Sequence, residues 1–294
     1  KSLVVAGTHG KTTTSTILAW TLFKNEYEPS FLIGGIGRNF DQSFRYGNSD
    51  LFVIEGDEYD TVFWDKVPKF YHYQPYRAII TSIEFDHADI YKDLSHIQES
   101  FKHFATLIPS KESGGILIAN RQALSSLDTH SLKCDIQSYG IDEGNWQAKT
   151  IRYFSDKTSF TIVHDQKELG NIDLKAIGSH NIENAIGVYA LCHSLGLSYE
   201  QIYKGFSTFL GAKRRQELIG AVNGISVYDD FAHHPTAVNK TLSAFRNAFP
   251  NDRLIAIFEP RSATSSRNIF QKEYATSFDQ ADIICIANIG KSNI

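Results

Sequence analysis

Leu3-Val4-Val5-Ala6-Gly7-Thr8-His9-Gly10-Lys11-Thr12-Thr13-Thr14 opens the chain and decides how the rest is read. The apolar run Leu3 to Ala6, ended by a glycine, predicts a buried strand. Gly7 to Gly10 is then a loop, and a helix is expected from Lys11 through about Leu22. In that setting Gly7 and Gly10 let backbone N–H groups turn inward around phosphate oxygens, and Thr8 between them is assigned to the nucleotide site. The helix N-terminus adds partial positive charge. Lys11 is placed to reach the β- and γ-phosphates of ATP, and the Thr12 hydroxyl to meet Mg²⁺. Thr13, in the same first turn, is assigned to the nucleotide site with them. The loop is a short form, G-T-x-G-K-T, because Val5 stands where the longer phosphate-loop pattern has its first glycine. A helix start with incidental glycines is the alternative, and the strand–loop–helix context speaks against it.

Working outward, Leu51-Phe52-Val53-Ile54 and Arg77 to Ser82 predict two further buried parallel strands, each ending in acids. A helix is expected from Leu94 to Leu107 and a strand from Gly115 to Ala119. Between about Gln137 and Lys175 polar and apolar residues alternate, which predicts a small antiparallel section. Helices follow from Asn181 to Leu195, stopped by Gly196, and from Tyr199 to Phe209. After Gly211 the pattern restarts. Strands are expected at Ile225–Tyr228, Leu254–Phe258 and Ile283–Ile286, with helices between them. Alternating strands and helices predict a second parallel α/β unit. The division is placed at residues 1–212 and 213–294, an α/β protein with a phosphate-loop ATPase domain and an incomplete Rossmann-like second domain.

The first acidic strand end reads Glu55-Gly56-Asp57-Glu58-Tyr59-Asp60. Acids at the C-terminal end of a parallel strand lie beside the phosphate loop in such folds. One carboxylate there holds Mg²⁺, which takes few protein oxygens and keeps several waters. Glu55, the first acid after the apolar run, is the choice; Glu58 and Asp60 are equally well read as solvated. The next strand end reads Glu84-Phe85-Asp86-His87-Ala88-Asp89. His87 is either a ligand of a second metal, its ring oriented by Asp86 or Asp89, or a surface histidine paired with acids.

Composition narrows the classes. The 294 residues carry a formal net charge of −4 and no long basic run, so no nucleic-acid footprint is present. No apolar stretch approaches the roughly 18 residues that span a bilayer. Cys134, Cys192 and Cys285 are far apart, which fits a reducing compartment and small buried side chains. The chain has no methionine, begins on a strand and stops without a domain end, so a piece of a longer protein is expected.

With these stretches in hand, the chain resembles the Mur ligase family. The phosphate loop, Glu55 and Asp86-His87-Ala88-Asp89 occur in that family's order. Gly178-Ser179-His180-Asn181-Ile182-Glu183-Asn184-Ala185 is similar to its G-x-H-N-x-x-N-A run. Lys213-Arg214-Arg215-Gln216-Glu217 is similar to its R-R-x-E junction, and Tyr228-Asp229-Asp230-Phe231-Ala232-His233-His234-Pro235-Thr236 to its D-D-x-x-H-H-P-T. The resemblance covers essentially the whole chain. It implies a cytoplasmic enzyme in which ATP phosphorylates a carboxylate and an amine then displaces phosphate. It implies Lys11 and Thr12 at phosphate and the first Mg²⁺, Glu55 as metal-binding glutamate, and His87 at the second Mg²⁺. Asn181 and Asn184 are implied at the nucleotide, Arg215 at the γ-phosphate, Asp230 at the ribose, and His233 and His234 at the substrate. Some members carry a carbamylated lysine that supports the second metal; Lys102 lies at about the right distance beyond His87 and is assigned no role. An N-terminal domain that binds the UDP-sugar is expected to precede Lys1.

Within the family, Glu58 to Lys66 and Lys69-Phe70-Tyr71-His72-Tyr73 resemble the recycling branch, which joins UDP-N-acetylmuramate to the murein tripeptide L-alanyl-γ-D-glutamyl-meso-diaminopimelate. Where the L-alanine-adding branch has two arginines that grip its small substrate, this chain has Ser262 and Ser265. Arg261 and Arg267 remain to pair with peptide carboxylates, or else line a solvated helix face. An L-alanine ligase, a folylpolyglutamate synthase-like relative and a non-ligating nucleotide switch are the competing readings. No obligate protein partner is expected.

Overall fold

Leu3, Val4 and Val5 are fully buried because β1 (Ser2–Ala6) runs through the interior of a ten-stranded sheet. The computed structural model describes residues 1–261, 265 and 269–288. After β1 come α1 (Lys11–Lys24), β2 (Ser30–Gly37), β3 (Gln42–Arg45), β4 (Phe52–Gly56) and β5 (Pro75–Ile80). Then follow α2 (Leu94–Thr106), β6 (Ile116–Asn120), α3 (Arg121–Ser125) and β7 (Asp135–Tyr139). The sheet is completed by β8 (Trp146–Tyr153), β9 (Thr158–His164) and β10 (Lys167–Leu174), before α4 (Ser179–Ser194) and α5 (Tyr199–Ser207).

Strand order is β10-β9-β8-β7-β6-β5-β1-β4-β2-β3. β1 pairs in parallel with both β4 and β5. The chain leaves β1 toward β2 and β4 on one side and later builds β5, β6 and β7 on the other. The carboxyl end of β1 is therefore a switch point, where open α/β sheets leave a crevice for a ligand. The alternating stretch forms the antiparallel meander β8-β9-β10, and it extends the same sheet rather than standing apart.

Side chains alternate across a strand, so β1 serves two cores. Leu3 and Val5 face Ile17, Leu18 and Leu22 of α1, with Ile186 and Leu191 of α4 and Phe206 of α5 in the same cluster. Val4 and Ala6 face the cluster that holds Phe101 and Phe104 of α2. α1 is buried on nearly all sides, threonines included, and Thr16 returns its hydroxyl to the Thr12 carbonyl at 2.6 Å. α5 starts at a capping box in which Ser198 and Gln201 satisfy each other's backbone N–H groups. It then packs so close to α1 that a Cβ on Gly205 would lie 2.6 Å from the Thr21 hydroxyl.

Beyond residue 212 the elements are β11 (Glu217–Val222), β12 (Ile225–Asp229), α6 (Pro235–Ala248), β13 (Ile255–Phe258), α7 (Gln271–Ser277) and β14 (Ile283–Ile286). β13 and β14 pair in parallel, as the α/β reading requires. β12 corrects it: this strand pairs antiparallel with β11, a strand the alternation does not predict. The physical cause is Asn223-Gly224. Both take positive φ, 51° and 77°, in the two-residue turn whose twist suits a hairpin. Cys134 and Cys192 are buried as expected, whereas Cys285 is exposed. Among the described residues no helix is long and apolar enough to cross a membrane.

Candidate functional site

Gly7 and Gly10 carry the phosphate loop over the end of β1 with φ of +136° and +83°. A Cβ at Gly7 would lie 2.0 Å from the Thr81 hydroxyl, and one at Gly10 2.6 Å from the Asn184 side-chain oxygen. Backbone conformation and space both demand glycine here. The loop is held from behind: Thr8 N–H donates to the Ser82 carbonyl and His9 N–H to the Ser82 hydroxyl, each at 2.9 Å.

Lys11, at the start of α1, folds its ammonium back onto the Gly7 carbonyl at 2.6 Å and onto both oxygens of Glu58 at 2.7 and 2.8 Å. Glu58 is 2% exposed. It also meets His87 Nε2 at 3.2 Å, and its backbone carbonyl accepts the Tyr91 hydroxyl at 2.7 Å. Burial alone drives the Glu58 carboxyl up, and the Lys11 charge with the His87 contact outweighs it, so it lies below its ordinary range. For His87 burial pulls downward, and Glu58 outweighs that and raises the imidazole. Glu58 is therefore a buried carboxylate bridging Lys11 and His87, not a solvated acid. It also takes the orienting place foreseen for Asp86 or Asp89. Asp86 instead accepts the His87 backbone N–H at 2.7 Å, supporting a φ of +53° at His87, and Asp89 accepts the Tyr59 hydroxyl.

Thr12 and Glu55 form a second group. Their oxygens lie 3.2 Å apart, and Glu55 is fixed by the Gly34 N–H at 2.9 Å. Arg215 arrives from beyond the junction, its guanidinium 3.3 Å from the Thr12 hydroxyl and over the Phe231 ring at 5.2 Å. Asn184 donates to Asn181 at 3.2 Å, and Asn181 donates to Gln216 at 3.1 Å, so α4 too is tied to the second half. Asp230 accepts the Gln216 and Ala232 N–H groups, each at 2.8 Å.

One cavity of about 670 Å³ gathers these groups. Thr8, Gly10, Lys11, Thr12, Thr13, Glu55, His87, Asn181, Asn184, Arg215, Asp230 and His233 all line it. Gly7 and His234 stand behind that lining. His234 caps α6, meets the Phe85 carbonyl through Nε2 at 3.2 Å, and is 4% exposed. Arg261 stays outside the cavity, exposed and paired with Glu259 at 3.1 Å. Lys102 pairs with Asp128 at 2.6 Å on the exposed side of α2. Ser265 is buried, while Ser262 and Arg267 lie outside the described residues.

Glu84 was not singled out in the sequence, yet it joins the two halves. Its carboxylate accepts the Thr236 hydroxyl at 2.7 Å and stands 3.5 Å from His9 Nε2. Burial pushes this carboxyl up; the His9 ring, the Thr236 hydroxyl and the Lys240 charge outweigh it and hold the pKa at about 2, against an ordinary 4.5. A carboxyl depressed in the fold contributes stability that is present above 4.5 and lost as pH falls toward about 2. Acid melting curves of Glu84→Gln are accordingly expected to fall less steeply than the parent's across that window. Parallel curves would remove Glu84 from the acid response.

Family models match nearly all of the chain: the Mur ligase middle domain over residues 5–192 and the Mur ligase glutamate ligase domain over residues 214–292. Among similar proteins, the UDP-N-acetylmuramate–L-alanyl-γ-D-glutamyl-meso-2,6-diaminoheptandioate ligase of Haemophilus influenzae is 40% identical over 284 residues, covering 96% of this chain and 62% of that protein. The UDP-N-acetylmuramate–L-alanine ligase of Clostridium novyi is 36% identical, covering 98% of this chain and 60% of its own length. The solved murein peptide ligase of Psychrobacter arcticus superposes with a TM-score of 0.72 at 35% identity, over 97% of this chain and 62% of that one. The chain thus spans about three-fifths of the length of the relatives it matches.

Proposed function

The chain belongs to the Mur ligase family, and from that premise we propose that it carries the ATP site of a ligase joining the carboxylate of UDP-N-acetylmuramate to the amine of L-alanyl-γ-D-glutamyl-meso-diaminopimelate. The observation that carries the ligase reading is the convergence of Lys11, Thr12, Glu55, Glu58 and His87 under one loop, with Arg215 reaching them from the second half. The boundary between the halves falls at residues 212 and 213. Identity of 40% to a tripeptide-adding relative, against 36% to an L-alanine-adding one, supports the amine substrate.

The glycine cradle at Gly7 and Gly10 fits phosphate oxygens, and the paired oxygens of Thr12 and Glu55 fit a hard cation such as Mg²⁺. His87, which meets Glu58 at 3.2 Å, is the residue at which the family resemblance puts a second ion. Bound Mg²⁺ supplies charge neutralisation on the transferring phosphoryl group. The chain's own residues do the rest. Backbone N–H groups at the start of α1 hold the phosphates, those of Thr8 and His9 being turned onto Ser82, and Lys11 leaves Glu58 to reach the β,γ-bridge. Arg215 places a permanently charged planar fork on the γ-phosphate. Asn181 and Asn184 border the nucleotide, and Asp230 takes the ribose. A carboxylate oxygen of the sugar substrate attacks the γ-phosphorus and ADP leaves. The amine nitrogen then attacks the acyl carbon, loses a proton, and inorganic phosphate departs as the amide forms. Positioning and electrostatics carry such a reaction. His233 lines the cavity beside Asp86 and is assigned to the sugar end, with His234 behind it.

The test takes the full-length enzyme with ATP, Mg²⁺ and UDP-N-acetylmuramate, offers the tripeptide or L-alanine, and records phosphate release and product mass. Phosphate release that depends on the tripeptide, with the matching product, is expected. Turnover driven by L-alanine would overturn the amine assignment, and turnover independent of both organic substrates would overturn the ligase reading.

A further inference from the structure

Behind the phosphate loop, three metal-ligating side chains from three separate segments converge. His9 comes from the loop, Glu84 from the stretch after β5, and His234 from the start of α6. One ligand atom of each lies within 4.8 Å of the other two. We propose that His9, Glu84 and His234 bind a divalent transition-metal ion of the zinc class, stapling the phosphate loop to the second half of the chain.

Two imidazoles and one carboxylate form a borderline-soft donor set, suited to zinc-like ions and unlike the all-oxygen set that Mg²⁺ prefers. The histidine rings stand 4.8 Å apart at 44°. His9 Nε2 is buried, and the group facing it is the Glu84 carboxylate at 3.5 Å. Two ligand atoms held 3.5 Å apart in the interior suit neighbouring positions around one tetrahedral ion.

The surrounding contacts suit a metal site as well. Thr236 donates its hydroxyl to Glu84 at 2.7 Å and fixes the carboxylate. His234 Nε2 lies 3.2 Å from the Phe85 carbonyl. With the ring proton on Nε2, that contact is the outward bond a ligating histidine usually makes, and Nδ1 is left to bind the ion. The ion would displace the 3.3 Å bond from the Thr236 N–H to Nδ1 by which His234 caps α6. Three protein ligands leave a fourth position for water.

The test is a titration of the chain with Zn²⁺ and, separately, Co²⁺, in excess Mg²⁺ so that oxygen-rich sites are filled. One tightly bound ion per chain is expected, with the intense visible bands of low-coordinate Co²⁺ and a melting temperature that climbs with ion concentration. His9→Gln and Glu84→Gln should each abolish the Co²⁺ bands. Thr236→Val, which keeps every ligand, should weaken Zn²⁺ binding by about 10-fold. Circular dichroism without metal verifies that each variant is folded, and His9→Gln secures the test if a change at the α6 cap unfolds the chain. Absence of stoichiometric binding would overturn the proposal, as would bands that survive in both ligand variants, for example through the exposed Cys285.

Discussion

Lys11→Ala is expected to lower the ligation rate of the full-length enzyme by about 1000-fold and, separately, to weaken the fold. The rate loss follows from removing a fixed positive charge at the phosphates in a water-poor cavity, where a single donor is worth about 100- to 1000-fold and a charged one more. The stability loss has a different cause. Glu58 is 2% exposed and Lys11 is its main countercharge. Removing one partner of a buried pair costs about 3–5 kcal/mol, because the remaining charge is stranded. Adding Glu58→Gln to Lys11→Met should restore most of the melting temperature and none of the activity. If the double variant melts no higher than Lys11→Met alone, the coupling between Lys11 and Glu58 is disproved. If Lys11→Ala ligates at near-normal rates, the phosphate role of Lys11 is disproved.

Arg215→Lys, conservative in charge, is expected to cost about 1000-fold in kcat, in line with other arginines that stabilise phosphoryl transfer in trans to a phosphate loop. The guanidinium reaches Thr12 at 3.3 Å from a separate half of the chain and stacks near Phe231. A lysine ammonium carries the charge but neither the planar fork nor the stacking. KM for ATP should change far less than kcat, since the interaction is made most strongly with the transferring group. A variant that raises KM and leaves kcat untouched would mean that Arg215 only binds nucleotide.

Local chemistry explains which parts of this site could be seen in the chain itself. Gly7, Gly10, Lys11 and Thr12 belong to one short loop whose backbone demands are written in adjacent residues. Glu55 follows directly from an apolar strand. Asn223-Gly224 is a two-residue hairpin signal, set within an alternation of strands and helices that by itself points to parallel βα units. Glu58 was different. In a run of acids, spacing says nothing about which carboxylate turns inward.

By itself the sequence determined the parallel strands, the loop at the end of β1, the helices and the order of the motifs. Each of these follows from side-chain periodicity and backbone preference within a few neighbouring residues. Tertiary structure alone decided that Glu58 bridges Lys11 and His87, that Glu84 meets Thr236 and His9, and that Arg215 reaches Thr12 across 203 positions of chain. Those pairings depend on distances between segments remote in sequence. They are set by how the two cores pack around β1, and by the energetic demand that every charge carried into the interior meet a partner there.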